Sequence, residues 1–166
     1  MTRESSAFSL RPAQPGDVPV IVSLINDLAL YERLPEECFA GAGLLHEHLF
    51  GPRPYCEVIL AEAGGTAAGF ALFFHNYSTW LTKPGLYLED LFVRPEARGL
   101  GIGRALLTRL AEIAVERGCG RMEWSVLTWN EPAIGFYEKL GAVPMDGWQV
   151  YRLAGEALAR LGNGSP

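Results

Sequence analysis

The residues that first suggest chemistry in this sequence form a glycine-rich stretch beginning at Arg98. The stretch reads Arg98, Gly99, Leu100, Gly101, Ile102, Gly103 and Arg104. Alternate glycines let a backbone approach a ligand without Cβ obstruction, and free amides in the first turn of a helix attract phosphate. Nearby arginines, including Arg94, can bind phosphate with two hydrogen bonds each. The pattern favours an anion site, and the simpler interpretation is a tight strand-to-helix turn without a ligand.

Two other nucleotide-binding loops do not fit this stretch. A P-loop requires Lys followed by Ser or Thr after its last glycine, and here Gly103 is followed by Arg104 and Ala105. A dinucleotide loop requires the spacing GxGxxG, whereas the glycines here have the spacing GxGxG. Neither class of nucleotide site is therefore expected.

Groups suited to proton transfer lie on either side of the glycine stretch. Glu89 and Asp90 interrupt the apolar run LYLEDLFV at residues 86–93. A carboxylate in an apolar strand is unfavourable unless something compensates, and neighbouring strand residues point to opposite faces. We expect Glu89 to act as a general base, the alternative being an edge-facing or salt-bridged acid. The phenol of Tyr137 can donate a proton, although beside Phe136 it is otherwise read as a core aromatic residue.

A sheet with flanking helices is needed to position these groups. Residues 86–93 have the content of a central strand, which Pro95 ends because proline has no amide hydrogen for a ladder. Apolar residues spaced three and four apart after Gly101 predict a helix, so the order is strand, glycine loop, helix. We predict a mixed α/β sheet in a single domain over residues 1–166.

The remaining elements follow from the same periodicities. Further strands are predicted at 7–11, 56–63, 66–77, 121–127 and 149–153, and further helices at 18–31, 42–50 and 155–161, with a loop over 76–85. Asp17 is the expected N-cap of the helix over 18–31. Asn130 is expected to cap another helix, which has Pro132 in its first turn and ends at Gly141.

Composition excludes several classes of protein. A net charge of −5 over 166 residues argues against nonspecific nucleic-acid binding, which needs a basic surface. Three separated cysteines form neither a disulfide framework nor a zinc site, and two histidines two residues apart on a helix make a poor metal pair. These residues are Cys38, Cys56, Cys119, His46 and His48. No signal peptide or membrane-length apolar run is present, so we expect a cytoplasmic protein without metal.

Four segments resemble one family of enzymes. Arg98, Gly101 and Gly103 match the Arg/Gln-x-x-Gly-x-Gly/Ala loop of the GCN5-related N-acetyltransferases (GNAT family). Residues 129–137 (WNEPAIGFY), 86–93 (LYLEDLFV) and 28–32 (LALYE) are similar to segments of its diamine (spermidine/spermine) and thialysine N-acetyltransferase group. The resemblance implies the GNAT fold, an α/β (α+β) arrangement. In that fold a mostly antiparallel sheet is splayed at the acetyl-coenzyme A site and flanked by helices.

The resemblance also implies a role for each matching residue. Tyr137 would be the general acid, and Glu89 would help to deprotonate the amine. The acetyl-CoA contacts would come from Leu91, Phe92, Val93, Arg98, Gly99, Leu100, Gly101, Ile102, Gly103, Arg104, Asn130, Glu131, Pro132 and Ala133. The amine substrate would meet Tyr31, Glu32, Glu89, Asp146 and Trp148. The protein would be a homodimer with a shared substrate groove, and it would use acetyl-CoA as co-substrate without a metal.

The implied reaction is transfer of an acetyl group from acetyl-CoA to a primary amine by direct attack in a ternary complex. The acceptor would be a small diamine, a polyamine or a lysine-like amino acid. Because residues 78–83 (STWLTK) lack the acid of polyamine-specific members, short acceptors are at least as well supported as spermidine. Three alternatives stay open: an acyl-cysteine route, a non-catalytic acyl-CoA-binding module, and acetylation of protein or peptide amines.

Overall fold

A computed structural model describes residues 7–164 of the chain. The strands are β1 (Ser9–Pro12), β2 (Glu57–Ala63), β3 (Thr66–Ser78), β4 (Lys83–Val93) and β5 (Met122–Trp124), and the helices are α1 (Val18–Tyr31), α2 (Ala42–Phe50), α3 (Ile102–Glu116), α4 (Glu131–Lys139) and α5 (Gly155–Gly162). The strands form one sheet in the order β1-β2-β3-β4-β5. All pairs are antiparallel except β4 and β5, which are parallel. A mixed α/β architecture is confirmed.

The chain divides into two compact units. The first, Met1–Leu127, contains the sheet and helices α1 to α3, and the second, Thr128–Pro166, contains α4 and α5. The expectation of a single domain over residues 1–166 stays a prediction. In the part of the chain from residue 7 to residue 164, no helix combines the length and the apolar character needed to cross a membrane.

Helices cover both faces of the sheet in the first unit. The apolar face of α1 and Leu49 of α2 pack on side chains of β2, β3 and β4; this cluster contains Ile21, Leu24, Leu28, Leu49, Val58, Leu60, Phe70, Leu72 and Phe92. Phe73 follows Leu72 in β3 and therefore points to the other face, where Arg117, just after α3, lies over its ring. The bounds predicted for α1 and α2 are confirmed.

Asp17 precedes α1 as predicted, but its carboxylate does not cap the first turn of that helix. The carboxylate instead accepts hydrogen bonds from Arg11 Nη1 at 2.7 Å and from the Gln14 amide at 2.7 Å. Arg11 also pairs with Glu62 of β2 at 2.8 Å. The capping prediction was wrong because Asp17 itself has helical backbone angles, φ −86° and ψ −9°, and its carboxylate points back to Arg11 and Gln14.

Strand β4 contains a β-bulge at the pair of acids. Phe73 lies opposite Leu88, and Leu72 lies opposite Asp90, so Glu89 has no partner on β3. Leu88 and Asp90 are two residues apart but lie on opposite faces, because paired residues share a face. The extra residue therefore interrupts simple alternation and moves Asp90 to the face covered by α1.

Other boundaries differ from those predicted. The loop over 76–85 is shorter, since β3 continues to Ser78 and β4 starts at Lys83. Strand β1 extends to Pro12, and β5 has only three residues. The strand predicted at 149–153 was wrong, because this segment has no ladder partner among the described residues.

Candidate active site

The glycine loop between β4 and α3 leaves backbone donors at an open surface. Gly99 has φ 83° and Gly101 has φ 85°, a conformation that side chains other than glycine rarely adopt. The first backbone hydrogen bond of α3 runs from Ala105 N to Gly101 O at 3.0 Å, so the amides of residues 102–104 have no acceptor within the helix. Apart from the flanking residues, no atom of residues 7–164 lies within 4 Å of a Cβ placed on Gly99 or Gly101. Amides without a helical acceptor, next to open space above Gly99 and Gly101, fit a diphosphate.

Arg94 does not take part in this anion site, contrary to the sequence-based expectation. Its Nε donates to Asp27 Oδ2 at 3.0 Å, its Nη1 to Ala67 O at 3.1 Å and its Nη2 to Ser23 Oγ at 3.1 Å. Asp27 and Ser23 belong to α1. Arg94 therefore connects α1 to the sheet.

Arg98 connects the glycine loop to the ends of α1 and β4. Its Nε donates to Val93 O at 3.0 Å, and its guanidinium carbon lies 4.8 Å from the centroid of the Tyr31 ring. The same carbon lies 5.8 Å from the ring of Phe92, and the two rings are 6.3 Å apart. Tyr31, Phe92 and Arg98 line part of an open cleft of about 440 Å³. The structure thus brings a predicted amine-site residue next to a predicted coenzyme-site residue.

Three carboxylates gather near the end of α1. Glu89 is exposed at the bulge, while Glu32 and Asp90 are half-buried. Burial, followed by the charges of Glu89 and Glu32, raises the pKa of Asp90 to about 6. Burial also raises the pKa of Glu32. No ion pair joins these carboxylates to a basic side chain within residues 7–164.

Asp90 is the residue that sequence reasoning left without a role. The sequence alone does not distinguish Glu89 from Asp90. The bulge gives the two side chains different environments, and it has no signature in the sequence. The only available signal was the presence of two acids in one apolar strand.

Cys56 packs against the core of the sheet, and His46 and His48 make ring contacts near α2. Burial, and then the charges of Asp90, Glu57 and Glu89, raises the pKa of the Cys56 thiol, which disfavours a nucleophilic thiolate. The ring centroid of His46 lies 5.8 Å from that of Phe50, and the ring centroid of His48 lies 5.0 Å from that of Tyr55. Among the residues described, no group of three or more His, Cys, Asp and Glu side chains could hold a metal ion.

The second unit carries the remaining predicted site residues. Asn130 Oδ1 accepts from Ala133 N at 3.4 Å, which confirms the predicted cap of α4. Tyr137 lies in α4 with its ring centroid 5.4 Å from that of Phe136. Asp146 and Trp148 are exposed in the segment after α4. Their roles in a site stay predictions.

Sequence comparison assigns the family. The profile of the acetyltransferase (GNAT) family matches residues 23–142. The chain is 36% identical over 163 residues to the thialysine N-epsilon-acetyltransferase of Bos taurus, covering 92% of this chain and 95% of that protein. It is 35% identical over 197 residues to the L-ornithine N5-acetyltransferase NATA1 of Arabidopsis thaliana, covering 92% and 86% of the two proteins.

A solved structure has the same fold. An integron cassette protein from the mobile metagenome of V. cholerae aligns with a TM-score of 0.79 and 27% identity, covering 94% of this chain and 98% of that one. The glycine loop, the bulged strand and the capped helix α4 are thus set in the fold that the resemblance implied. The chain belongs to the GNAT family of acetyltransferases.

Proposed function

We propose that the protein transfers the acetyl group of acetyl-CoA to the side-chain amine of a lysine- or ornithine-like amino acid, or to a short diamine. The observation that carries this choice of acceptor is the group formed by Glu32, Glu89 and Asp90, which has no basic partner among the described residues. Like charges held together without a counter-ion favour a cationic ligand. Relatives named for thialysine and L-ornithine support an acceptor of this class.

The coenzyme site is proposed on the glycine loop and its neighbours. The amides of residues 99–104 would hold the diphosphate, the backbone of residues 91–93 would hold the pantetheine arm, and residues 130–133 would contact the coenzyme further along. Acetyl-CoA supplies the thioester carbonyl and the thiolate leaving group. A backbone amide near the end of β4 is the proposed donor to the developing oxyanion.

Proton transfer is assigned to side chains of this chain. Glu32 and Asp90 attract the ammonium group, and Glu89 takes its proton, directly or through water, to form the neutral nucleophile. The Tyr137 phenol donates a proton to the departing sulfur. Asp146 and Trp148 are proposed to contact the rest of the acceptor.

The charges before β4 also bear on the choice of acceptor. Residues 79–82 contain no acid, and Lys83 follows them at the start of the strand. This segment therefore offers no carboxylate to the far amines of a long polycation, which supports a short acceptor.

Assembly and location are also proposals. In the second unit, large apolar side chains between residues 143 and 153 are exposed; they include Val143, Met145, Trp148, Val150 and Tyr151. Exposed apolar surface of this kind favours contact with another chain. We propose a cytoplasmic homodimer whose subunits contact each other through this segment.

A panel of amines tests the proposal. Release of coenzyme A is measured with thialysine, lysine, ornithine, putrescine, spermidine, spermine and lysine-containing peptides, each with acetyl-CoA. We expect the highest kcat/KM for the amino acids or the short diamine. Turnover of peptides alone would make the protein a protein acetyltransferase. Coenzyme A binding without any turnover would make it a binding module.

Direct attack is tested by removing every thiol. The variant Cys38→Ala, Cys56→Ala, Cys119→Ala should retain kcat within about twofold, because the raised pKa of Cys56 disfavours its thiolate. An acyl-cysteine route requires instead that transfer stop. Mass spectrometry after incubation with acetyl-CoA alone serves as the control and should detect no acetylated cysteine.

A further inference from the structure

The face of the sheet that carries Asp90 also carries a pair of aromatic rings. Leu72 lies opposite Asp90, and Phe74 lies opposite Tyr87. Leu72 and Phe74 are two residues apart in β3, and the extra residue of the bulge belongs to β4, so both point to the same face. Because paired residues share a face, the rings of Phe74 and Tyr87 lie on the face of Asp90. Their centroids are 5.1 Å apart.

This aromatic pair, Phe74 and Tyr87, is more accessible than the apolar core beside it. Both rings are half-buried, whereas Leu72 and Phe92 on the same face are buried in the cluster that α1 covers. A hydrogen bond of 3.0 Å joins the Tyr87 hydroxyl to Ser125 Oγ, just after β5, and it fixes the ring between the two strands. The pair therefore offers an apolar surface of fixed position next to a carboxylate.

The carboxylate on the other side of the aromatic pair already has a counter-ion. Glu123 lies opposite Tyr87 on β5. Its Oε2 is 3.0 Å from Arg121 Nε and accepts a hydrogen bond from Asn76 Nδ2 at 3.1 Å. A second ammonium group placed on the rings would therefore gain little from Glu123. A neutral aromatic ring needs no counter-ion there, and it attracts other rings beyond the area that it buries.

The spacing along β3 limits how far such a ring can be from the amine. The rung of Leu72 and Asp90 is followed on this face by the rung of Phe74 and Tyr87, roughly 7 Å along the strand. An ammonium group at Asp90 and a ring on the aromatic pair can therefore belong to one small molecule, provided that the link between them is short.

We propose a further activity, in which the chain acetylates arylalkylamines that carry an aromatic ring a short carbon chain away from a primary amine. The ring of the acceptor packs on Phe74 and Tyr87, and its ammonium group lies at Asp90. This inference rests on the proposed function, uses the same transfer and adds a class of acceptor to it.

The transfer balances as it does for an aliphatic amine. Glu89 takes one proton from the ammonium group, and the neutral nitrogen attacks the thioester carbonyl. The C–N bond forms and the C–S bond breaks, while Tyr137 gives a proton to the sulfur and regains one from the nitrogen. The products are coenzyme A, the N-acetyl arylalkylamine and the proton that Glu89 passes to solvent.

Two amines of matched shape test the proposal on the wild-type protein. Release of coenzyme A from acetyl-CoA is measured with phenethylamine and with cyclohexylethylamine, whose ring is saturated. We expect kcat/KM to be about two- to tenfold higher for phenethylamine, because only its ring can stack on the aromatic pair. A surface that is merely apolar would favour the saturated ring equally or more, and that result would overturn the proposal.

Phe74→Leu assigns the preference to the aromatic pair. It removes one ring but keeps an apolar side chain, so the ratio of kcat/KM for phenethylamine to that for thialysine should fall about three- to tenfold. Tyr87→Phe keeps both rings and should change this ratio by less than about twofold. Tyr77→Leu is the matched control, since Tyr77 is an exposed ring of β3 on the face opposite to Phe74.

The outcomes separate this inference from the proposed function. Turnover of thialysine or of a diamine without turnover of phenethylamine would overturn the further activity alone. An unchanged ratio in active Phe74→Leu enzyme would also overturn it, as would an equal fall in Tyr77→Leu. If Phe74→Leu does not fold, the comparison of the two rings on the wild-type protein decides. Absence of turnover with every amine would overturn the proposed function and the further activity with it.

Discussion

The charged form of Asp90 is disfavoured in the folded chain, and the proposed role of Asp90 as the partner of an ammonium group explains why such a residue is useful. Its carboxylate lies half-buried on the α1 face beside two other acids, which is a costly environment for a negative charge. A bound cation would relieve that cost. Sites that bind charge commonly trade stability for function in this way.

Replacement of Asp90 should separate stability from activity. The pKa of about 6 in the folded chain lies above the ordinary value of 3.8, so the native state binds more protons than the unfolded state between these values, and stability falls as pH rises through them. Asp90→Asn should therefore stabilise the protein at pH 8 by about 1–3 kcal/mol, but by little at pH 4. Thermal unfolding at both pH values checks the sign, and a destabilised variant at pH 8 would contradict it.

The same variant should affect the amine more than the chemistry. Loss of a charge-assisted contact should raise the KM of the amine by about tenfold. Glu89→Gln, at the exposed bulge, should instead lower kcat and change its pH profile, because it removes the proposed base. Steady-state kinetics from pH 6 to pH 9 distinguish the two acids. Identical effects of the two variants would leave no distinct role for the bulged residue.

Tyr137→Phe should remove the proposed general acid while keeping the aromatic ring. The expected loss in kcat is about 10²-fold, with binding of coenzyme A unchanged. Phe136→Leu changes the neighbouring ring and should reduce kcat far less. A full-rate Tyr137→Phe enzyme would show that the thiolate departs without help from this phenol.

At the scale of secondary structure, periodicity predicted well wherever one face of an element is buried. The bounds of α1 and α2 were predicted because apolar spacing and flanking Gly and Pro residues agree. The bulge in β4 could not be predicted, since inserting one residue into a ladder depends on the partner strand. The contact of Asp17 could not be predicted for a similar reason, because the arginine that binds its carboxylate, Arg11, lies in β1.

The candidate site was predictable only in part, for a related reason. The glycine loop is local in sequence, so its donors could be placed from residues 98–104 alone. The contact of Arg98 with Tyr31 joins positions far apart in the chain and depends on how α1 lies on the sheet. Arg94 was misread because its hydrogen-bond partners lie in α1 and β3.

Gly101→Ala tests the loop as an element. A Cβ at φ 85° is strained by about 1–2 kcal/mol and projects into the open space above the loop. We expect coenzyme A to bind about tenfold more weakly. Gly64→Ala in the β2–β3 turn is the matched control, since Gly64 also has positive φ, 58°, and open surroundings. It should lose stability without losing affinity, and equal affinity losses would contradict a phosphate site at Gly101.

For the molecule as a whole, charge and assembly complement the local site. A net charge of −5 gives a mild long-range attraction for cationic amines, which salt should weaken. Acids near α1 add a local attraction at the site itself. An increase in KM with ionic strength would therefore be larger for a diamine than for an acceptor with one positive charge.

The proposed homodimer is tested in the exposed segment of the second unit. Wild-type protein should sediment at twice the mass of one chain, and Tyr151→Glu should shift it toward monomer because burying a carboxylate in an apolar contact is costly. Val115→Glu is the control, since Val115 is also largely exposed, 81% against 90% for Tyr151, but lies on α3 of the first unit. If both variants remain dimers, the contact lies elsewhere.

The bulge in β4 has a consequence for how such enzymes can diversify. Glu89 stands outside the ladder that fixes its neighbours, so its side chain can be exchanged without shifting the register of the sheet. Other side chains can therefore replace the proposed base at this position while the strand that is proposed to hold the acyl donor keeps its shape. The side chain at position 89 and the backbone of the sheet can therefore change independently of each other.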